Sequence, residues 1–146
     1  MTTSKKSIPQ DPPGGIALMK GFLEGSPFAR TLGLRAETIE PDHVRLSMPF
    51  QDSNVTIGDV VHGGAIGSLI DTAATAAAWS GVEDPGGARG TTVALSVTFV
   101  AAARGQDVTA DARVVRRGRT ICFCEVDVAD AGGEVVAKGL VTYKLG

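Results

Sequence analysis

Apolar and polar residues alternate along several stretches of the chain, as expected of strands with one buried face. Residues 34–50 show this pattern on both sides of a turn predicted at Glu40, Pro41 and Asp42. Residues 93–99 show it again, with small or polar residues standing between Val93, Leu95, Val97 and Phe99. These regions therefore predict three strands, two of them joined as a hairpin.

Three further strands are predicted at residues 107–117, 120–130 and 135–145. Tight glycine-containing turns separate them at residues 117–119 and 131–133. Consecutive strands joined by such short turns run in opposite directions, so we expect antiparallel pairing. One face of the last strand is apolar and is formed by Val135, Ala137, Val141, Tyr143 and Leu145.

Two short helices are predicted near the N-terminus. Residues 16–24 fit one helix, which Gly25 ends. A second turn of helix runs through Thr31, with Ser26 as its cap and Pro27 at its first position.

One long helix dominates the predicted structure. Residues 62–81 are rich in alanine and apolar on nearly every side, so we expect this helix to be buried. A polar loop, residues 51–61, precedes it, and a glycine-rich loop, residues 81–90, follows it. One long helix with five or so antiparallel strands predicts an α+β fold, a curved sheet wrapped round the helix. The sheet has open edges, and a long exposed edge strand tends to pair with another chain, so we expect an oligomer.

Length and composition indicate a single globular domain at residues 16–146, after a polar leader at residues 1–15 that we expect to be disordered. The chain has 146 residues, of which 43% are hydrophobic and 21% charged. The net charge of −2 argues against a general nucleic-acid binder, and the chain has no basic arm and no interleaved aromatic platform for stacking bases. No stretch is apolar enough to span a membrane, and the start lacks a signal peptide's hydrophobic region, so we expect a cytoplasmic protein.

The cysteines and histidines predict no metal site. Cys122 and Cys124 are the only cysteines, and their spacing on a strand sends both side chains to the same face. We expect buried, reduced thiols, since this spacing is neither a redox pair nor a metal framework. With only His43 and His62 besides, a zinc cluster is improbable. No cofactor is expected.

Asp71 is the only charged residue between His62 and Gly81. An unpaired ionised carboxylate in a dry core would cost several kcal/mol or have its pKa raised. One interpretation is structural, with a buried hydrogen bond to the backbone or to Thr72 or Thr75. The other is that this carboxylate does chemistry.

The start of the same helix favours the chemical interpretation. The first-turn N–H groups of a helix have no partner within it, and Gly63 and Gly64 let a ligand approach that backbone closely. Such a terminus favours a developing negative charge. Asp71 stands two turns, or roughly 11 Å, further along the axis. A second copy of the chain with an antiparallel helix would bring the Asp of one subunit near the glycines of the other.

The segment at residues 58–78 reads GDVVHGGAIGSLIDTAATAAA. It resembles the signature of hotdog-fold acyl-CoA thioesterases of the PaaI-like type, named after phenylacetic acid degradation, in the 4-hydroxybenzoyl-CoA thioesterase superfamily. The family pattern is His-Gly-Gly followed by Leu-x-Asp or Leu-x-Glu on the central helix. The resemblance extends over about residues 27–145 and implies a hotdog fold, edge-to-edge dimers and commonly a tetramer of two dimers.

The resemblance also implies roles for the motif residues. Asp71 would be the general base or nucleophile, and the Gly63 backbone N–H would polarise the thioester carbonyl. Gly64 would help the substrate to approach. His62 would either hydrogen-bond near the thioester or only cap and orient the preceding loop.

The chain departs from the family pattern in the loop before the motif. Relatives often carry Asn or Gln six residues before the histidine, where this chain has Thr56. Asn54, two residues earlier, is a candidate only if the loop is arranged differently. Thr92 corresponds to a hydroxyl residue that positions water in some relatives, although threonine at the start of a strand is common in any case.

A coenzyme A thioester is the substrate that the resemblance implies. Arg116, Arg117 and Arg119 crowd one turn and would bind the phosphates of coenzyme A, unless this is simply a solvated turn. The sequence does not decide between a small aromatic and a medium-chain acyl group. Trp79 and Phe50 are candidate residues for the lining of the acyl pocket. A thioester of a carrier protein is an alternative to the coenzyme A thioester.

Two alternatives to an acyl-CoA thioesterase are open from the sequence. Hotdog hydratases and dehydratases bind the same thioesters, but their catalytic pair usually includes a histidine acting as base. The second alternative is an acyl-CoA binding protein without catalysis. Asp71 after His-Gly-Gly fits hydrolysis better than either.

Overall fold

The computed structural model describes residues 13–146. Its first helix, α1 (Gly14–Gly25), begins two residues earlier than predicted, because the N–H groups of Gly14 and Gly15 donate to Glu83 O and Val82 O at 2.8 and 2.9 Å. A side chain on Gly15 would collide with the carbonyl oxygen of Trp79. The lack of side chains therefore lets the first turn of α1 lie on the loop after the long helix. The rest of the predicted leader, residues 1–12, lies outside the described residues.

The second helix, α2 (Pro27–Leu32), has the predicted start and ends one residue later than predicted. The Ser26 side chain accepts a hydrogen bond from Ala29 N at 3.4 Å, and proline occupies the first turn. Gly33 ends the helix with φ of 70°, a left-handed conformation that favours glycine.

A six-stranded antiparallel sheet forms the body of the protein, in the spatial order β1-β2-β6-β7-β8-β5. The two edge strands are therefore β1 and β5. Every neighbouring pair in this sheet is antiparallel, as the short turns predicted. Its strands are β1 (Arg35–Glu40), β2 (His43–Met48), β5 (Gly90–Phe99), β6 (Val108–Arg117), β7 (Ile121–Asp130) and β8 (Val135–Leu145).

The loop predicted at residues 51–61 is more ordered than expected. It holds a 3₁₀ turn (Asp52–Asn54) and a two-stranded ribbon of β3 (Val55–Ile57) and β4 (Val60–Val61). The β-branched residues of these strands favour extended backbone even among polar neighbours. The ribbon is tied to the rest of the fold by Val61 N, which donates to Ala103 O at 2.9 Å.

The long helix, α3 (Gly63–Ser80), packs along one face of the six-stranded sheet. Its alanines let the sheet approach closely, and most are fully buried. At Gly139 of β8 an added Cβ would come within 2.5 Å of Ile70 Cγ2, so a side chain there would push helix and sheet apart. A long helix on an antiparallel sheet confirms the predicted α+β class.

The prediction that α3 is buried on nearly every side is wrong along one stripe. Residues three or four apart lie on one side of a helix. The side that the sheet leaves uncovered is partly exposed, and we call it the open stripe of α3; it is formed by Gly64, Gly67, Ser68, Asp71, Thr72 and Thr75.

The edge strand β5 is exposed along most of its length. Val93, Leu95 and Phe99 belong to the predicted apolar face, yet they are 58%, 43% and 54% exposed. Only Val97 among the alternating apolar residues is partly buried. No helix within residues 13–146 is long and apolar enough to cross a membrane.

Candidate active site

Asp71 is joined to the edge strand by a side-chain hydrogen bond. Thr92 Oγ1 of β5 donates to Asp71 Oδ1 at 2.6 Å, and both side chains are half-buried. The structural partners proposed from the sequence are not used: Thr72 Oγ1 donates to Ser68 O at 2.8 Å instead. Among residues 13–146, Asp71 Oδ2 accepts no hydrogen bond. One carboxylate oxygen is therefore oriented by Thr92, and the other is available.

His62 caps the start of α3. Its Nδ1 accepts a hydrogen bond from Gly64 N at 2.7 Å, so Nδ1 carries no proton and the neutral ring holds its proton on Nε2. This hydrogen bond uses the N–H of Gly64, which is therefore not available as a donor to a substrate. The N–H of Gly63 finds no acceptor in the described part of the chain. The first turn of α3 thus presents a single backbone donor.

Asn54 lies next to this helix start. His62 N donates to Asn54 O at 2.7 Å, which holds the 3₁₀ turn against the cap. Asn54 Nδ2 is buried and has no hydrogen-bond partner within residues 13–146. A buried amide donor without a partner is costly, and in proteins it often marks a ligand or water site. The loop is thus arranged so that both Asn54 and Thr56 lie near the start of the helix.

A cavity of about 400 Å³ adjoins Gly63, and we call it the Gly63 cavity. Phe99 at the end of β5 forms part of its wall, with Phe99 Cζ 3.1 Å from the position of a Cβ on Gly63. Thr56 lies on its rim as well. The free backbone donor of α3 therefore lies at an open, mainly apolar hollow.

A second cavity, of about 510 Å³, lies near Asp71, and we call it the Tyr143 cavity. Thr92, which donates the hydrogen bond to Asp71, also lines this cavity. Within residues 13–146 its lining residues carry no charge, and they are Leu18, Met19, Phe22, Thr75, Trp79, Ala88, Gly90, Thr91, Thr92 and Tyr143. The candidate lining residue Trp79 is present. Phe50 does not line this cavity, because it lies two residues beyond the end of β2, where its N–H donates to Asp107 Oδ1.

Trp79 and Tyr143 form a buried polar pair in the wall of this cavity. Trp79 Nε1 donates to the Tyr143 hydroxyl oxygen at 2.9 Å. Burial raises the pKa of Tyr143, the hydrogen bond from Trp79 opposes that change, and the nearby Asp71 charge adds to it. Tyr143 therefore stays a neutral phenol. The sequence pattern predicts Tyr143 only as a residue of the apolar face of the last strand, because nothing in it indicates the contact with Trp79.

The three arginines predicted to bind phosphate have different surroundings. Arg117 is a structural residue: its Nη2 donates to Asp42 Oδ1 at 2.7 Å and to Ala78 O at 2.8 Å, near the C-terminal end of α3. Both of its Nη groups thus already have partners, which argues against Arg117 as a phosphate ligand. Arg116 and Arg119 are exposed and form no ion pair within residues 13–146.

The two cysteines are free thiols buried on the helix side of β7, as predicted. Burial raises the pKa of Cys122, although Arg117 opposes the change. Burial also raises the pKa of Cys124, to about 12. Thiolates are the reactive form, so both cysteines are inert near neutral pH.

The two halves of the predicted site are separated within one chain. Asp71 stands eight positions after Gly63 on α3, a rise of about 12 Å along the helix axis. The strand β5 runs alongside both, with Thr92 at the Asp71 end and Phe99 at the Gly63 end. A carbonyl carbon with its oxygen at Gly63 N therefore cannot be reached by Asp71 of the same chain.

The part of the chain that contains this site is similar to known proteins. The family model described as "Thioesterase superfamily" matches residues 58–137. Human acyl-coenzyme A thioesterase 13 is 28% identical to this chain, and the alignment covers 88% of this chain and 92% of the human protein. A crystal structure of a thioesterase family protein from Silicibacter pomeroyi superposes with a TM-score of 0.84 at 27% identity, over 90% of this chain and 98% of that one. The crystal structure of zebra fish thioesterase superfamily member 2 superposes with a TM-score of 0.76 at 28% identity, over 89% of this chain and 94% of that one.

Proposed function

The chain belongs to the thioesterase superfamily, and on that premise we propose that it hydrolyses acyl-CoA thioesters to a carboxylic acid and free coenzyme A. The observation that carries the proposal is the Asp71 carboxylate on the open stripe of α3. Thr92 orients one of its oxygens, the other is available, and an uncharged cavity large enough for an acyl group lies beside it.

Asp71 acts on the carbonyl carbon, either by attacking it directly or by taking a proton from the attacking water. In both cases the thioester C–S bond breaks, and coenzyme A leaves as the thiolate and takes up a proton. Direct attack gives an anhydride, which water then opens to release the acid and restore the carboxylate. The Gly63 N–H donates to the carbonyl oxygen as negative charge develops on it, at the positive end of the α3 dipole.

We infer that each site is shared between two subunits, because one chain keeps Asp71 and Gly63 too far apart. If β5 pairs antiparallel with β5 of a second copy about its middle, the Thr92 end of one strand meets the Phe99 end of the other. Asp71 of one subunit then comes close to Gly63 of the partner subunit. The exposed apolar side chains of β5 and its unpaired edge favour this dimer.

A tetramer of two such dimers is a further step of the proposal. Val115, Phe123 and Leu140 are large apolar residues on the sheet that are 65%, 46% and 64% exposed. Exposed apolar residues on a sheet face favour contact with another protein surface. We therefore expect the sheets of two dimers to meet there.

His62 and Asn54 prepare the carbonyl site. The His62 ring caps α3 through Nδ1, which leaves the Gly63 N–H as the free donor. We propose that the partnerless Asn54 Nδ2 donates to the thioester or to the attacking water. A hydratase would need His62 as its base, but the unprotonated nitrogen of this ring is occupied by Gly64 N. Hydrolysis is therefore favoured over hydration.

Coenzyme A phosphates would be bound by Arg116 and Arg119, whose guanidinium groups are exposed and form no ion pair in the described chain. The sign of the charge and the position in one turn support this assignment. A carrier-protein thioester would use the same chemistry at Asp71 without needing this turn for a nucleotide.

Release of free thiol from a panel of acyl-CoA thioesters tests the function. We expect thiol release in step with acid formation. The protein's own thiols contribute little background, since both are buried with raised pKa values. Thioester binding without thiol release would indicate the non-catalytic alternative. Hydration of an unsaturated acyl-CoA without thiol release would indicate a hydratase.

A further inference from the structure

We propose that Tyr143 is a specificity-determining residue: its hydroxyl donates a hydrogen bond to an uncharged acceptor, such as a hydroxyl or carbonyl, on the distal part of the acyl group. The inference rests on the proposed function, because it takes Asp71 as the point where the thioester is hydrolysed. It adds a substrate class to that function, namely acyl groups that are apolar near the thioester and carry a neutral oxygen further out.

The fold positions Tyr143 beside the reacting groups. Tyr143 of β8 and Thr92 of β5 are direct cross-strand partners, so their side chains lie next to each other on the helix side of the sheet. Thr92 in turn donates to Asp71. An acyl group whose thioester lies at Asp71 and which enters the Tyr143 cavity therefore passes along Tyr143.

The Tyr143 hydroxyl has an unused donor. Its oxygen accepts from Trp79 Nε1, but within residues 13–146 its own O–H donates to nothing. The side chain is only 4% exposed, so bulk water does not freely solvate it. Buried donors in proteins are usually paired. A ligand oxygen inside the cavity would supply the missing acceptor.

The distance of the Tyr143 hydroxyl from the reacting groups is also defined by the fold. A side chain on Gly90 would collide with the Tyr143 oxygen, so this oxygen lies against the Gly90 backbone, two residues before Thr92 on β5. Two residues of strand correspond to about 7 Å. The acceptor on the acyl group is thus expected several carbons away from the thioester carbonyl, comparable to the end of a hexanoyl chain.

The other residues that line the cavity determine whether the bound acyl group can carry a charge. Leu18 and Phe22 of α1 present apolar surface to the cavity, and no lysine, arginine or histidine within residues 13–146 lines it. An ionised carboxylate at the end of the acyl group would lose its hydration without gaining a cation. The cavity therefore favours a neutral oxygen over a charged one.

The test compares matched thioesters on matched variants. The substrates are hexanoyl-CoA, 6-hydroxyhexanoyl-CoA and adipoyl-CoA, with octanoyl-CoA and 8-hydroxyoctanoyl-CoA as a longer pair. The variants are Tyr143→Phe, Trp79→Phe, and both together. Trp79→Phe keeps the tyrosine hydroxyl, whereas the double variant removes it without leaving the indole N–H unpaired. The measured quantity is the ratio of kcat/KM for the hydroxylated substrate over its parent.

We expect Tyr143→Phe and the double variant to lower this ratio roughly 2- to 10-fold, the range of one neutral hydrogen bond. Trp79→Phe should keep the ratio, and adipoyl-CoA should be the poorest substrate of the wild type. An unchanged ratio for both pairs in both Tyr143→Phe variants, with active wild type, would overturn the role of Tyr143 and leave the proposed function intact.

Loss of the proposed function has a different signature, namely no thiol release from any of these thioesters by the wild type. In that case the same ratio is measured as binding affinity by calorimetry, with and without Tyr143→Phe. A lowered affinity ratio would then support the Tyr143 contact, and an unchanged ratio would contradict it.

Discussion

Thr92 Oγ1 donates a 2.6 Å hydrogen bond to Asp71 Oδ1, and this bond joins the edge strand β5 to the open stripe of α3. A carboxylate can only accept hydrogen bonds, so the threonine hydroxyl must be the donor. The bond fixes which oxygen faces the strand and which is available. Thr92 is therefore best described as the residue that positions Asp71.

Replacing Thr92 by valine should remove this positioning while keeping the shape of the side chain. We expect kcat to fall roughly 10-fold, within the range for a misoriented catalytic group, with a smaller change in KM. Thr92→Ser, which retains the hydroxyl, should recover most of the rate. Thr142→Val on the opposite face of β8 is the matched control. Equal kcat values for Thr92→Val and Thr92→Ser would contradict the positioning role.

Asp71→Asn removes the charge but keeps an oxygen that Thr92 can still donate to. We expect kcat to fall by at least about 10²-fold, the usual lower scale for losing a positioned acid–base group, while the melting temperature stays near that of the parent. Rate and melting temperature should be measured on the same preparation. A purely structural carboxylate would give the reverse pattern, a lower melting temperature with a near-parental rate.

The arginine turn should separate into one structural residue and two binding residues. Arg117→Ala loses hydrogen bonds to Asp42 and to Ala78 O, so we expect a free energy of unfolding lower by about 1–3 kcal/mol. Denaturant unfolding of this variant beside Arg116→Ala measures the difference. The same stability loss in both variants would show that Arg117 has no special place in the fold.

Arg116→Ala combined with Arg119→Ala should raise KM for acyl-CoA with little change in kcat, because remote binding is lost equally from the ground and transition states. Thioesters of pantetheine, which lack the nucleotide, should be hydrolysed equally well by variant and parent. The phosphate assignment would be wrong if both substrate types lost the same factor.

Much of this architecture follows from local sequence patterns. Alternation predicts the strands of the sheet, and Ser26 and Pro27 predict the start of α2, because strand faces and helix caps depend on neighbouring residues. The His-Gly-Gly segment predicts the start of α3 for the same reason. The hotdog resemblance adds the order of the layers, which local pattern alone does not contain.

The errors fall where the outcome depends on contacts between distant residues. Arg117 looks like its neighbours in the sequence, and only the fold brings Asp42 and the end of α3 within its reach. The open stripe of α3 is exposed because the sheet leaves it uncovered, which the alanine content does not reveal. Alternation predicts Tyr143 on an apolar face, whereas the fold pairs its hydroxyl with Trp79, a residue 64 positions away.

The donor role of Gly63 can be tested with a substitution that removes only its N–H. Gly63 is the first residue of α3, where proline is well tolerated, and His62 before it has ψ of 132°, which suits a residue preceding proline. We expect Gly63→Pro to fold and to lose about 10²- to 10³-fold in kcat, the scale for one oxyanion donor. Gly63→Ala is the matched control, since it adds the same Cβ near Phe99 but keeps the N–H.

Hybrid dimers extend this test to the shared site. In a dimer of one Asp71→Asn subunit and one Gly63→Pro subunit, one composite site has both defects and the other has neither. Random assortment of equal amounts should therefore recover about one quarter of the parental activity, because half of the dimers are hybrids with one intact site each. Two different affinity tags allow the hybrids to be purified and verified before assay. Verified hybrids as inactive as either parent variant would mean that Asp71 and Gly63 act within a single chain, and the two-subunit site would have to be abandoned.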